Sequence, residues 1–513
     1  MSGKIKNSKY NFQIKFAVRQ RIVNLITVCL FVLTIIGISG CNQPVNKKDS
    51  SSAKNAPLEA GIGISDITPP VGYPCYRGES TGIGTPLQAK AIVFKQGDTK
   101  GALVICDIIR ISRDLSRIAR EKAAGQTGIP FQNISIAATH IHTGPQLDFD
   151  AGELERKIKN NSTDNTDGDY IVSLVNGMVK AISEANKNIE QVELVSGTGS
   201  AKGISFNRRY LMTNGQVIFN PGYLNPKIVG PTGPVDTTVH FLMFKPKGKE
   251  DFSASLTVFA DHTDTYGGTE FHADYPYFVS ENMKSMFGNQ LISIFGNSTC
   301  GNINHIDVTR SPKETQKGVI TEKIGKVIAE AVKQGLPSAE TIRTELKIMS
   351  KTIFLPLQNF TEEEYQWALN KDAEPLYKER AFMTDRRRSK ILSLYKLRQE
   401  EAIQPAVSGE PWHLPVELYA FCIGDHTAII TTPGHNFVEL GLYLKEHSPY
   451  KNTMIIDFAN ANIGYTMLRE NFAHGDYEAI NSRVQPGSCE VMFDEVLDML
   501  NQTYEGQKQL ANN

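Results

Sequence analysis

The sequence predicts an α/β fold in which mixed β-sheets are packed with helices. Apolar runs such as ALVICDIIRI (102–111) and NISIAAT (133–139) have the length and composition of buried strands. Segments with helical periodicity lie between such runs, as in the amphipathic stretch YIVSLVNGMVKAISEANK (170–187). At 513 residues the chain is long enough for a large core, and strand-like and helical patterns alternate along most of it.

The remaining elements follow the same alternation. The first two strands flank a helix near 113–124, and three further strands come after helix 170–187: TVHFLMF, ASLTVFAD and QLISIFG. Two charged segments, 316–334 and 361–403, are predicted helices, and we interpret DRRRSK within the second as a solvated helix face. The strands VELYAFCIGD, HTAIITT and TMIIDFA and a helix near 490–503 complete the pattern. We find no internal repeat, and we expect one domain over 59–505.

The N-terminal segment has the pattern of an export signal. Basic residues precede the apolar stretch IVNLITVCLFVLTIIG, which is short for a membrane span and is followed by ISGC. This ending resembles a bacterial lipobox, so residues 1–41 are predicted to be a lipoprotein signal peptide with lipidation at Cys41. The alternative is an uncleaved membrane anchor. Residues 42–58 are polar and aperiodic, which predicts a flexible tether to the cell envelope.

Charge and cysteine content exclude several classes of protein. The net charge is −1 with both signs mixed along the chain, so no basic field favours nucleic acid. Beyond Cys41, five cysteines stand far apart, which argues against a disulfide framework and against a paired-cysteine zinc site.

Two histidines follow one predicted strand, in the stretch AATHIHTGP. His140 and His142 are two residues apart, and on extended backbone such a pair points to one side of the strand. That arrangement suits a metal site or a proton relay. The alternative is that one imidazole is a hydrogen-bonded core group and the other caps the loop.

Three other strand-end loops carry polar residues of the kinds used in catalysis. His262 lies in FADHTDTYGGTEFHADYP, His435 in TTPGHNFVELG, and Tyr465 and Tyr477 in NANIGYTMLRENFAHGDYEA. Loops at strand ends are where α/β folds place functional groups. Each residue by itself is equally compatible with an ordinary structural role.

Taken in order, these stretches resemble the neutral, non-lysosomal ceramidase family across nearly all of residues 59–500. The opening AGIGISDITPPVGYP and the element ATHIHTGP are the most specific parts. The resemblance implies an α/β catalytic domain whose zinc ion activates water to hydrolyse the amide of an N-acyl sphingoid lipid. It also implies a metal site: His140, His262 and Tyr465 match zinc ligands, and His435 stands where the family has a glutamate ligand.

The resemblance further implies catalytic roles for three residues. His142 is expected to hydrogen-bond to substrate or water, and Tyr477 and Arg208, in FNRRY, match positions that line the family's substrate site. His142 or Tyr477 would stabilise the oxyanion or pass a proton.

The sequence departs from the family in three places. The glutamate ligand is replaced by His435, and the Gly-Asp-x-Ser-Pro element reads GNINH, with Asn304 at the serine position. The C-terminal immunoglobulin-like domain typical of the family is not expected here. Three imidazoles and a phenol oxygen nevertheless suit zinc.

From these observations we expect an exported, membrane-tethered, zinc-dependent amidohydrolase of the ceramidase type. Its partners would be a lipid or small amide substrate and, through the lipid anchor, a membrane. One alternative is hydrolysis of another amide or ester, such as an acylated sugar. A second is a binding protein that kept the fold without catalysis.

Overall fold

The computed structural model describes residues 56–160, 170–312, 318–342, 345–400, 403 and 411–511. The predicted signal peptide with Cys41, and residues 42–55 of the predicted tether, lie outside these residues. Leu58, which the sequence analysis assigned to the tether, is buried, and its backbone carbonyl accepts a hydrogen bond from Val192 N–H.

The strands of the described residues are, in chain order, β1 (Glu59–Asp66), β2 (Pro74–Cys75), β3 (Gly78–Glu79), β4 (Gly82–Ile83), β5 (Gln88–Gln96), β6 (Thr99–Cys106), β7 (Ile134–Ala138), β8 (Glu190–Ser200), β9 (Phe206–Asn207), β10 (Arg209–Met212), β11 (Val217–Phe219), β12 (Ile228–Pro231), β13 (Thr238–Pro246), β14 (Ala254–Phe259), β15 (Glu270–Phe271), β16 (Ile292–Asn297), β17 (Ile303–Asn304), β18 (Glu340–Thr341), β19 (Leu346–Pro356), β20 (His413–Ile423), β21 (Thr427–Thr431), β22 (His435–Asn436), β23 (Asn452–Ile456) and β24 (Tyr465–Thr466).

The α-helices of the same residues are α1 (Arg113–Thr127), α2 (Ala151–Lys159), α3 (Tyr170–Lys187), α4 (Asp274–Phe287), α5 (Val319–Gly335), α6 (Glu362–Leu369), α7 (Ala381–Leu397), α8 (Val438–His447), α9 (Arg469–Ala473), α10 (Asp476–Asn481) and α11 (Ser488–Ala511). None of the helices in the described ranges is long and apolar enough to span a membrane.

Two sheets form the centre of the fold. The larger has the strand order β16-β14-β13-β8-β1-β5-β6-β7, with β18 added beside β8, and the smaller has the order β19-β20-β21-β23. Within these two sheets the pairing is antiparallel except for β14 with β16, β6 with β7, and β21 with β23, which are parallel. The expected α/β class with mixed sheets is confirmed.

Alternating side chains on the strands hold the layers together. On β5, Ile92 and Phe94 belong to a buried cluster with Phe421 and Ile429 of the smaller sheet, so the two sheets pack face to face. The intervening Ala91 and Val93 face the opposite way, into the cluster that includes α1 and α3. Helices α4 and α5 cover the other half of that face, and α8 and α11 cover the outside of the smaller sheet.

Each of these three parallel pairs is joined by a helix, giving the units β6-α1-β7, β14-α4-β16 and β21-α8-β23. In α1, Ser112 caps the N-terminus by accepting Leu115 N–H, and Gly128, at φ 68°, ends the helix in the left-handed conformation. The ends of these units meet: Asp457 N–H donates to Asn297 O, and Ala138 N–H donates to Phe458 O. The loops that follow the strands are therefore gathered at one place.

The structure adjusts several predicted elements. The strand predicted over 102–111 ends at Cys106, and residues 107–111 are loop. The predicted helix 361–403 is two helices, α6 and α7, because the Asn370–Arg380 segment between them is irregular. Helix α3 has the bounds that its periodicity predicts.

Candidate active site

The two histidines after β7 face each other across a turn in the backbone. His140 has φ 66°, a left-handed conformation that is uncommon for a residue with a Cβ. Its ring lies 5.0 Å from that of His142, and their Nε2 atoms are 3.4 Å apart. The convergence therefore arises from the turn at His140, and not from continuing extended backbone as the sequence analysis assumed.

His262 joins this pair from the loop after β14. Its Nε2 lies 3.2 Å from Nε2 of His140. The two loops are clipped together because Thr263 donates its hydroxyl to Thr139 O and His142 N–H donates to Thr263 O. His140, His142 and His262 thus offer nitrogen atoms that all lie within 4.8 Å of one another.

The protonation of these rings suits a cation. His140 Nδ1 lies 2.6 Å from the Ile109 carbonyl, which can only accept, so Nδ1 carries the hydrogen and Nε2 presents a lone pair. Burial, followed by the charge of neighbouring groups, holds the pKa of His140 and His262 well below the usual value, so both rings are neutral at pH 7. Neutral imidazoles with converging nitrogens are the donor set of a zinc-type metal.

His435 and Tyr465 lie beside this group on adjacent backbone. They are register partners in the short parallel pair of β22 and β24, and their rings are 4.5 Å apart. The His435 ring is 4.4 Å from that of His140 and 6.4 Å from that of His262. Within the described residues, Nδ1 of His262 and Nδ1 of His435 are buried without a hydrogen-bond partner.

The group of closest ligand-type nitrogens is thus not the same as the ligand set predicted from the sequence. The tight group of ligand-type nitrogens contains His142, which the resemblance assigned to hydrogen bonding with substrate or water. His435 and Tyr465 are immediate neighbours of the group. Which of the five side chains bind a metal stays a prediction.

Arg208 is fixed next to the rings by a buried ion-pair network. Its Nε lies 3.0 Å from Oε1 of Glu478, and Nη1 of Arg209 lies 2.9 Å from Oε2 of the same carboxylate. Arg208 also donates to Gly301 O, and its guanidinium lies 5.3 Å from the Tyr465 ring centroid. Glu478 and Arg209 were not predicted as site residues, because nothing in the local sequence pattern links positions so far apart in the chain.

A cavity of about 310 Å³ opens beside the histidines. Tyr477 forms one wall, stacked on Phe219 at 4.7 Å and on Phe382 at 5.7 Å. The residues that line the cavity are Tyr76, Arg77, His142, Arg208, Phe219, Asn220, His262, Asp264, Asn304, His305, Ile306, Phe382, Arg386, Tyr465 and Tyr477. All three residues predicted to be catalytic are therefore among the lining side chains.

The altered GNINH element also reaches this cavity. Asn304, at the position of the family's serine, lines the cavity and donates from Nδ2 to Oδ1 of Asn220. Asn302 instead holds the backbone, accepting Val438 N–H and donating to Glu439. An amide side chain at position 304 can hydrogen-bond to a substrate but provides no hydroxyl nucleophile.

Helix α7 contributes to the site, contrary to the interpretation of DRRRSK as a solvated face. Arg386 lines the cavity, and Arg388 is buried and donates to the Trp367 and Ala373 carbonyls. Arg387, between them, pairs with Glu379. The prediction for this charged segment was wrong because long arginine side chains reach buried polar groups even where the helix has no clear apolar face.

Comparisons with known proteins place the chain among relatives of one kind. The family described as neutral/alkaline non-lysosomal ceramidase, N-terminal, matches residues 58–270. The chain is 26% identical over 163 residues to neutral ceramidase of Mycobacterium tuberculosis and 26% identical over 202 residues to that of Pseudomonas aeruginosa. These alignments cover 29% and 37% of the chain but only 25% and 28% of the relatives.

Solved structures extend the likeness over 88% of the chain. The crystal structure of neutral ceramidase from Pseudomonas aeruginosa matches with a TM-score of 0.63 at 17% identity, over 88% of this chain and 75% of the other. A structure described as ceramidase complexed with C2 matches with the same TM-score and identity, over 88% of this chain and 76% of the other. At this identity the match establishes the fold.

Proposed function

Because residues 58–270 match the model of the neutral/alkaline non-lysosomal ceramidase family and the relatives described above are neutral ceramidases, we propose that the chain is a metal-dependent hydrolase of an amide C–N bond. The observation that carries the proposal is the meeting of three imidazole nitrogens within 4.8 Å beside a cavity. His140, His142 and His262 would hold the cation, with His435 and Tyr465 at hand to complete its ligands. Zinc fits this set of nitrogen and oxygen donors.

A divalent cation bound there would polarise the amide carbonyl and lower the pKa of a water molecule. The chain's own groups prepare the cavity for that reaction. Arg208, held by Glu478, presents a fixed positive charge where an oxyanion would develop. Burial raises the pKa of Tyr477, so its phenol stays protonated and can donate a hydrogen bond.

A carboxylate lies near the outer side of the His142 ring. The Nδ1 atom of that ring faces Oδ2 of Asp264 at 4.0 Å, while its Nε2 faces His140. Asp264 is in turn paired with Arg77. Nε2 of His142 is thus directed inward, where it would either bind the cation or exchange a proton with the reacting amide.

The substrate proposed first is an N-acyl sphingoid lipid, the substrate class that the family resemblance implies. A cavity of about 310 Å³ with several charged walls is small for a lipid with two long chains, so such a lipid would keep much of its hydrocarbon outside. This favours, as a second candidate, a smaller amide or an ester such as an acylated sugar.

The test is hydrolysis of N-acyl amides by the purified protein before and after treatment with a chelator. Release of the free amine that stops on chelation and returns with added zinc is the expected result. Amide hydrolysis unaffected by chelation would contradict the metal-dependent mechanism. No hydrolysis of any amide or ester by zinc-loaded protein would favour the binding-protein alternative.

We also propose that the protein is an exported lipoprotein, on the strength of the ISGC sequence after the apolar stretch. Cys41→Ser should release the protein from membranes while the folded body keeps its stability, because the lipid would be its attachment. Membrane retention of this variant with an intact N-terminus would instead identify the segment as an uncleaved anchor. Membrane fractionation and N-terminal sequencing distinguish the two results.

A further inference from the structure

The arginines around the cavity exceed the acids available to neutralise them. Arg77, Arg208 and Arg386 line it, and among the described lining residues the acidic side chain is Asp264, which pairs with Arg77. Glu478, beneath the cavity, is shared between Arg208 and Arg209. One carboxylate for two buried guanidiniums leaves a net positive charge under the floor of the site.

Arg386 is the clearest case of an unmatched charge. Its Nε is buried and finds no hydrogen-bond acceptor in the described part of the chain, and none of the ion pairs there includes it. Its guanidinium lies 4.9 Å from the ring centroid of Phe382, one turn earlier on α7, which is 46% exposed at the cavity rim. A buried charged donor without an acceptor is destabilising, and such a group commonly marks a ligand site.

Arg110, an exposed residue in the loop after β6, adds a second positive charge that acts on Arg386. Arg110 directly follows Ile109, whose carbonyl accepts a hydrogen bond from His140, so the backbone of Arg110 lies next to the histidine group. Its charge contributes to lowering the pKa of both His140 and His435. Arg110 and Arg386 are also close enough for each to act on the other: partial desolvation, and then the Arg386 charge, lower the pKa of Arg110.

We infer that the substrate of this site carries an acidic group, a carboxylate or sulfonate, which Arg110 and Arg386 bind while the aromatic wall of Phe219, Tyr477 and Phe382 holds its apolar part. The inference rests on the proposed amide hydrolysis and names its substrate class: an N-acyl amine with an anionic polar end. Two guanidiniums are suited to such a group because their planar donors bind its oxygens in pairs. A neutral amide leaves the charge of Arg386 unmatched.

Binding of three amides with one acyl chain tests the inference. N-octanoylglycine and N-octanoyltaurine are anionic, whereas N-octanoylethanolamine is neutral. Chelator-treated protein is used with calorimetry, so that binding is measured without turnover. We expect at least one anionic amide to bind about tenfold or more tightly than the neutral one, the size of one charge-assisted contact. The tighter of the two anions identifies the preferred group.

Variants locate the preference. Arg110→Gln and Arg386→Gln should each reduce it to within about threefold, and Arg386→Lys, which keeps the charge but loses the planar fork, should leave an intermediate preference. Arg387→Gln is the matched control, since Arg387 is the next residue on α7 and pairs with Glu379 away from the cavity. Its preference should equal that of the wild type.

Equal binding of all three amides by the wild type, or a preference that survives both glutamine substitutions, would overturn the inference. Hydrolysis by zinc-loaded protein is measured separately. An anionic preference in binding without hydrolysis of any amide would refute the proposed function, while the site's preference for an anionic ligand would stand. Hydrolysis without any binding preference would support the proposed function and overturn the inference.

Discussion

Glu478→Gln tests whether the buried arginine pair depends on one carboxylate. Glu478 is fully buried at 0% exposure, and it receives Arg208 at 3.0 Å and Arg209 at 2.9 Å. Removing one partner of a buried ion pair costs about 3–5 kcal/mol. Glutamine keeps one acceptor oxygen, so we expect the lower end, a loss of about 3 kcal/mol in the free energy of unfolding. Arg209 has no spare partner to compensate, because its Nε and Nη2 already lack acceptors among the described residues.

The assay is urea unfolding followed by circular dichroism at pH 7. Glu470→Gln is the control: Glu470 is exposed on α9, and its substitution should change the free energy of unfolding by less than about 0.5 kcal/mol. The same Glu478→Gln protein should bind substrate less well, because Arg208 loses its anchor. A Glu478→Gln protein within about 1 kcal/mol of the wild type would refute the reasoning that this carboxylate holds both guanidiniums.

Three further results are expected. His435→Glu puts a carboxylate at a buried position, so it should destabilise the metal-free protein. With zinc present, it should raise both the affinity for zinc and the rate of amide hydrolysis. Tighter zinc binding by the wild type in a competition assay would show that histidine is the proper ligand. Burial lowers the pKa of His272 from 6.5 to about 4, and Nδ1 accepts Asp274 N–H, so the unfolded chain takes up this proton first as the pH falls. The free energy of unfolding should therefore decline from pH 6.5 towards 4. At pH 5, His272→Asn should lose about 1–2 kcal/mol less than the wild type, measured against each protein at pH 7. Urea midpoints with the same pH profile in both proteins would contradict this. Asn460→Ala should lower the free energy of unfolding by about 2–4 kcal/mol, because Asn460 adopts φ 56° and its amide hydrogen-bonds to Ser116, Ser135 and Ile136 N–H. Thermal and urea unfolding measure this loss. A loss below about 1 kcal/mol would contradict a structural role for the Asn460 amide.

The elements that the sequence predicts best are those whose burial is uniform. Strands β7 and β14 are buried at every position, and helix α3 has one continuous apolar face. Strands β1 and β8 escaped prediction because they contain glycines where a helix backbone approaches. A Cβ at Gly63 would lie 2.1 Å from Ala181 O, and one at Gly199 would lie 2.1 Å from Ala331 O. Close packing against a helix requires glycine at these positions, and glycine weakens the strand pattern in the sequence.

The candidate site divides along similar lines. The histidines were recognisable because strand-end loops of an α/β fold gather at one edge, and the family resemblance indicated which loops to compare. Glu478 lies 270 positions from Arg208 along the chain, and its pairing depends on the way α10 packs against β11 and β24. Arg386 was assigned to solvent because its neighbours are charged. Arg386 reaches the cavity because of the orientation of α7 after the irregular segment that follows α6. That orientation is a property of the tertiary structure.

The metal content of the purified protein tests the central claim most directly. The account predicts about one equivalent of a divalent cation, with zinc the expected ion, and its loss in His262→Ala but not in His447→Ala, where the histidine is exposed. Added zinc at a hundredfold excess over its Kd should stabilise the metal-free wild type by about 2.7 kcal/mol and leave His262→Ala nearly unchanged. A wild-type protein that contains no metal and gains no stability from zinc would contradict the account.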